Sequence, residues 1–347
     1  MIHDLEYASS EFEAGYAEEF EFDSGEFEAY EGESEMESGY EFEDEAPSGP
    51  KVGFNVPKIG DRSGFQELEL EFDQEIFPPD DRKPVTDTTK LPYRFICHLL
   101  IGMKAADGTV ATGRGSGTLI SNNQVLTVAH NLKISLGGKT FTAQKITVTP
   151  GRNTSFSNRL KWTPFGASKA KSWACHSKWE KGFDFQYDFG LITLKEDLGK
   201  KTFASLGRKP LGYWGSVANG GGTLLESFDP ASIKDKVVNV GGYPGDKCGA
   251  DPDKPSCPDA KRVGTQFIAF DKVLDPAPAA EPRLIYHRAD LRQGQSGGPI
   301  WRWDQVHRYL VGIQSTETTV GGAPLRNSGV RITADVLSQL KAWGWRP

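Results

Sequence analysis

From Arg94 onward the chain alternates short apolar runs with clusters of Gly, Pro, Asn and Asp, the texture of strands joined by tight turns. Phe95–Ile101 reads as one strand and Gly117–Ile120 as the next, and Asn122-Asn123 marks a turn before Val125–Val128. Similar runs at Lys145–Thr149, Leu191–Leu194, Val237–Val240 and Leu310–Ile313 predict further strands. A helical period holds only near the end, where Thr333 is placed to cap a helix with Val336, Leu337, Leu340 and Trp343 on one face. The pattern predicts an all-β protein with a short C-terminal α-helix. No run approaches the roughly 20 apolar residues of a membrane helix, so no membrane partner is expected.

The chain before Arg94 follows a different rule. Residues 1–50 alternate glutamate with aromatics, as in Glu19-Phe20-Glu21-Phe22, and hold 18 of the chain's 47 acidic residues with no Lys or Arg. Like charges repel there and branched aliphatics are few, which predicts a disordered acidic tail. Two roles stay open for it: a solubilising segment, or one that docks on the rest of the chain to inhibit, chaperone or target it. Residues 51–74 read as a connector or pro-segment ending in Glu67-Leu-Glu-Leu-Glu-Phe-Asp73, and 75–347 as the domain that carries the chemistry. Beyond residue 50 the chain has 40 basic against 29 acidic residues, although the whole is formally −7. These basic residues are scattered and no binding motif accompanies them, so nucleic acid is not an expected partner. The opening Met1-Ile-His-Asp-Leu-Glu-Tyr7 lacks the basic head and apolar run of a secretory signal. An extracellular destination would then need another route, with the cytoplasm as the alternative.

Three stretches carry candidate chemistry. A serine hydroxyl is a poor nucleophile at neutral pH and needs an imidazole base, a carboxylate behind it and backbone donors for an oxyanion. Leu126-Thr-Val-Ala-His130 runs a strand into a histidine. Tyr187-Asp188-Phe-Gly-Leu-Ile-Thr-Leu194 runs an acid into an apolar strand, where a carboxylate is costly unless paired. Gly294-Gln-Ser-Gly-Gly-Pro299 sets Ser296 between glycines, so that the amides of Gly294 and Ser296 can converge on one point. Each stretch alone is weak evidence, but the order His130, Asp188, Ser296 makes a catalytic triad the expected reading. An esterase elbow of the Gly-x-Ser-x-Gly kind would show the order Ser, acid, His instead.

These stretches resemble the trypsin-like serine protease superfamily, and within it the bacterial glutamyl endopeptidases of staphylococcal and bacillar type. Pro78-Pro-Asp-Asp-Arg82 with Thr86-Asp-Thr-Thr89 is similar to the start of that family's mature enzyme. Val128-Ala-His130, Gly242-Tyr-Pro-Gly-Asp246 and Asn327-Ser-Gly-Val-Arg-Ile-Thr333 resemble its histidine motif, a characteristic loop and its last strand. The resemblance, over roughly residues 75–347, implies a chymotrypsin-like double six-stranded β-barrel with the triad between the barrels. It also implies a precursor processed near Glu75 or Ile76, and an endopeptidase acting on proteins or peptides through an acyl-enzyme. A monomer without cofactor or metal is expected. The alternative is the same fold used mainly as a delivered or binding module, with the acidic tail as a targeting segment.

The resemblance also places substrate contacts at Asp290, Leu291, Gln314 and Ser315. Members that cut after glutamate carry a small hydroxyl residue and a histidine where this chain has Leu291 and Gln314, which argues against glutamate preference. Asp290 falls where trypsin places the acid that selects Arg or Lys, so a basic preference and a broad or apolar one both stay open. Gln295 replaces the aspartate that pairs with the new amino terminus in animal trypsins. Four cysteines remain: Cys248 and Cys257 bracket a short loop suited to a local disulfide, and Cys97 with Cys175 would be the other pair. Four free thiols in a reducing compartment are the alternative.

Overall fold

A computed structural model describes residues 76–154, 162–216, 222–247, 264–320 and 323–347. The acidic segment 1–50, the connector 51–74, Glu75 and the Cys248/Cys257 loop lie outside the described residues.

Among the described residues, twelve strands form two barrels, with a few short strands beside them. In the first half the barrel strands are β1 (Ile96–Ala105), β2 (Val110–Leu119), β3 (Gln124–Thr127), β4 (Lys139–Pro150), β5 (Ser168–Cys175) and β6 (Gly190–Leu194). They pair antiparallel in the order β1-β2-β3-β6-β5-β4, and β4 pairs back onto β1, so the sheet closes. The second half repeats the scheme with β7 (Val237–Gly242), β8 (Phe267–Asp275), β9 (Leu284–His287), β10 (Pro299–Trp303), β11 (Arg308–Val320) and β12 (Ala323–Arg331). Their order is β7-β8-β9-β12-β11-β10, closed by β10 on β7. The protein is therefore two closed six-stranded antiparallel β-barrels of identical strand order.

Closure removes the exposed sheet edges, and alternation along each strand fills the interiors. Leu99, Ile101, Phe141, Val148 and Ile192 are buried in the first barrel, and Val238, Val240, Val273, Ile300 and Val311 in the second. The strands without a clear apolar run escaped the sequence pattern. β5, Ser-Lys-Ala-Lys-Ser-Trp-Ala-Cys, buries only its two ends fully. β9 is four residues long, and β8 is broken by a register shift between Val273 and Asp275. A six-residue helix, Ser177–Gly182, is likewise too short to show a period.

The C-terminal helix runs from Ala334 to Ala342, capped as expected by Thr333, whose Oγ1 accepts from the Val336 amide at 3.2 Å. Val336 and Leu340 are buried, with Leu337 and Trp343 packed beside them. The chain then crosses to the first barrel, where the Trp345 indole donates to the Ile120 carbonyl at 3.0 Å. Gln124 grips the same stretch, its Nε2 donating to the Gly344 carbonyl and its Oε1 accepting from the Arg346 amide, each at 3.2 Å.

Candidate active site

Strand pairing brings the histidine and the acid together. β3 pairs with β6 so that Thr127 lies opposite Gly190. His130, in the turn Ala129–Asn131 just past β3, and Asp188, just before β6, therefore emerge at the same end of the barrel. The His130 amide donates to Asp188 Oδ1 at 2.8 Å, and Nδ1 meets Oδ2 at 2.7 Å, with both side chains fully buried. An ionised carboxylate can only accept, so Nδ1 carries the proton; in the neutral imidazole Nε2 is then the basic nitrogen. Asp188 Oδ2 accepts a further bond from the Ser315 hydroxyl at 2.6 Å. Three donors thus offset the cost of burying this charge.

Ser296 is held from both barrels. Its carbonyl accepts from the Ser116 amide at 2.8 Å and from Asn131 Nδ2, beside His130, at 3.1 Å. Its Oγ donates to the Ser315 carbonyl at 3.4 Å, so Ser315 touches the acid and the serine at once. The flanking residues are tied down too: the Gly297 amide donates to the Gln314 carbonyl at 2.7 Å, and the Gln314 amide to the Gly298 carbonyl at 2.8 Å. Two glycines are required here. Gly294 has φ +95°, and a Cβ would lie 2.4 Å from the Tyr243 carbonyl oxygen. Gly297 has φ +86°, and a Cβ would lie 2.2 Å from the Ser116 carbonyl oxygen.

The specificity positions look different in the structure. Asp290 is buried, and its carboxylate is engaged by backbone amides. Oδ1 accepts from the Phe77 amide at 2.6 Å and Oδ2 from the Asp81 amide at 2.9 Å, so both oxygens hold the start of the described chain. Burial first, and then the Asp290 charge, push the Asp81 carboxyl up to about 6. Leu291 is a core residue of the second barrel, fully buried with Ala289 and Ile300. The Gln314 side chain is buried as well, and its Oε1 lies 2.9 Å from His287 Nε2. Burial drives the His287 pKa down to about 4, against the opposing pull of the Gln314 bond. Ser315, expected as a substrate contact, directs its hydroxyl to Asp188. That role was missed because nothing local in Gly312-Ile-Gln-Ser315 points to a residue 127 positions away.

Cys97 and Cys175 are separate free thiols, contrary to the expected pair. Cys97 lies on β1 opposite Gly117 and Pro150, whereas Cys175 lies on β5 opposite Gly190. β1 and β5 are not neighbours, and the Cys97 thiol donates to the nearby Phe95 carbonyl at 3.4 Å. Burial pushes the Cys175 thiol up to about 12 and Cys97 higher still, so neither is a reactive thiolate at neutral pH. Among the described residues no group of three or more His, Cys, Asp and Glu is arranged to hold a metal ion.

No family model matches the chain. Glutamyl endopeptidase of Bacillus licheniformis (strain ATCC 14580) is 29% identical over 269 residues, 76% of this chain and 67% of that protein. The solved structure of a Glu endopeptidase in complex with MPD superposes with a TM-score of 0.55 at 20% identity, covering 77% of this chain and 97% of the other. A thermostable serine protease, AL20, from an extremophilic microorganism gives a TM-score of 0.48 at 13% identity, covering 72% and 96%. The paired six-stranded barrels and this sequence similarity support a serine endopeptidase. In sequence the chain is similar to a bacterial glutamyl endopeptidase.

Proposed function

We propose that the chain hydrolyses internal peptide bonds of protein or peptide substrates with Ser296 as nucleophile, His130 as general base and acid, and Asp188 as the carboxylate that orients and charges the imidazole. The observation that carries this reading is the buried Asp188 carboxylate, which fixes the His130 tautomer and, through Ser315, reaches Ser296. His130 Nε2 takes the Ser296 proton as Oγ attacks the carbonyl carbon and the carbonyl oxygen becomes an oxyanion. The amides of Gly294 and Ser296 are the oxyanion donors in this reading, supported by the left-handed φ of Gly294. The imidazolium then protonates the leaving amine. An acyl-enzyme remains, and water cleaves it by the same steps in reverse.

Peptide-bond specificity follows, in this reading, from the partners that these positions hold. With Asp290 engaged by two backbone amides and Gln314 by His287, neither fixed charge nor free imidazole is offered to a substrate side chain from these positions. The proposal is therefore a preference for neutral side chains before the cut. The same reading makes residues 75–347 the protease domain of a secreted precursor, processed near Glu75, with the acidic segment as its propeptide.

Labelling with a fluorophosphonate probe tests the nucleophile. The full chain and a 75–347 form are compared, with Ser296→Ala as control. Labelling of the short form, lost in the control, supports a precursor with Ser296 as nucleophile. Equal labelling of both removes the propeptide role, and labelling of neither removes the protease reading in favour of a delivered binding module.

A further inference from the structure

The loop that carries Ser296 is braced by a segment far from it in sequence. Asp290, at the root of the loop, accepts from the Phe77 and Asp81 amides through its two oxygens at 2.6 and 2.9 Å. Arg82, its side chain fully buried, donates from Nη1 and Nη2 to the two carboxylate oxygens of Asp246 at 2.9 and 2.6 Å. It also donates from Nε and Nη2 to Asp80 at 2.9 Å, and Lys247 Nζ lies 3.0 Å from the same carboxylate. Asp246 adjoins Gly245, whose amide donates to the Gln293 carbonyl at 2.8 Å, one residue before Gly294. A Cβ on Gly294 would clash with Tyr243 in this same 242–247 loop.

Residues 77–82 therefore hold the serine loop at its root through Asp290, and from behind through Asp246 and Gly245. Gln295 adds only a bond within the loop, its Oε1 accepting from the Arg292 amide at 3.0 Å. The geometry points to the Phe77–Arg82 segment as a positioning strap: seated on Asp290 and Asp246, it sets the backbone of Gly294–Ser296 for catalysis. Asp290 and Arg82 are then positioning residues, neither a substrate contact. An Asp290 carboxylate facing two amide donors suits this role, because bonds to a charged acceptor are about twice as strong as neutral ones. The bidentate Arg82–Asp246 fork adds directional rigidity that a lysine could supply only in part.

This inference rests on the protease reading, and its test separates the two. Asp290→Asn, Arg82→Gln and Arg82→Lys, each made as the full chain and then processed near Glu75, are compared with the unsubstituted protein treated alike. Amide hydrogen exchange across residues 292–298 and the kcat-against-KM split on a peptide substrate are the readouts. Asn at 290 keeps the size but turns an NH₂ towards one of the amides. Exchange in the loop is expected to rise about tenfold or more in Asp290→Asn and Arg82→Gln, with kcat down roughly tenfold and KM within threefold. Arg82→Lys should recover part of both. Unchanged loop exchange overturns the strap. So does an altered cleavage profile with unchanged exchange, because Asp290 would then be a pocket residue. Failure of both the full chain and the 75–347 form to react with a fluorophosphonate sinks the protease reading, while the exchange measurement still judges the strap.

Discussion

The two barrels share one strand order but set their functional groups by different means. In the first barrel the pairing of β3 with β6 suffices: His130 and Asp188 leave adjacent strands at the same end and meet at 2.7 Å. In the second barrel Ser296 sits on a loop whose shape depends on Ser116 and Asn131 of the other barrel, on the 242–247 loop and on residues 77–82. The His130–Asp188 pair is thus built by local sheet register, whereas the Ser296 loop is held by four separate parts of the chain. Damage to the first half should alter chemistry at a standing site, while damage to the second should disturb whether the site stands at all.

Ser296→Ala gives the largest expected effect. Release of peptides from a denatured protein substrate should fall by about 10⁴-fold or more with the thermal midpoint nearly unchanged. A residual rate close to that of the unsubstituted chain would move the nucleophile elsewhere. Gly297→Ala should fail differently. Its Cβ would meet the Ser116 carbonyl and Thr127 Oγ1 at 2.2 Å, so denaturant unfolding should show a loss of more than about 3 kcal/mol. Retained stability would show that the serine loop is less constrained than the comparison requires.

Ser315→Ala removes one of three donors to Asp188 and should lower kcat about tenfold, leaving KM near its original value. Combined with Asp188→Asn it should cost little more than Asp188→Asn alone, because both act through one carboxylate. Fully additive losses would mean that Ser315 acts apart from Asp188.

A last effect, away from the catalytic groups, concerns stability against pH. His287 has its pKa lowered from 6.5 to about 4 by burial, so the unfolded chain binds more protons between those values and stability is lost as pH falls from 6.5 towards 4. The loss totals about 3 kcal/mol. Asp81 acts with the opposite sign, since its pKa is raised from 3.8 to about 6 and stability falls as pH rises through that window. His287→Gln should therefore flatten the acid limb, or reverse it, in denaturant midpoints measured from pH 4 to 6.5. An unchanged limb would assign the acid sensitivity to other groups.

The same contrast explains what could be read from the sequence. β1, β3 and β6 were legible because buried strands of a closed barrel leave apolar runs, and His130 and Asp188 stand at the ends of two of them. The Thr333 cap was legible because capping is local. The Ser296 glycines were legible as a tight turn, but the partners that impose it were not. Asp290 is the clearest case: an acid six residues before the serine left a pocket role and a loop partner both open, and only the tertiary fold shows that two amides more than 200 residues away bind it. Cys97 misled for the same reason, because which way a side chain faces depends on strands that no local pattern announces.

The ends of the described chain are exchanged between the barrels. The leading stretch, through Lys83–Pro84, adds to β8 of the second barrel, although the chain proceeds from there to build the first. The trailing stretch, past β12 of the second, anchors Trp345 on Ile120 of the first. Each half therefore carries a tether sewn into the other, so the connection between β6 and β7 is not what keeps them together. A protease is surrounded by cutting agents, including its own copies. One cut in that connection should leave a two-chain molecule that elutes as one species and separates only in denaturant.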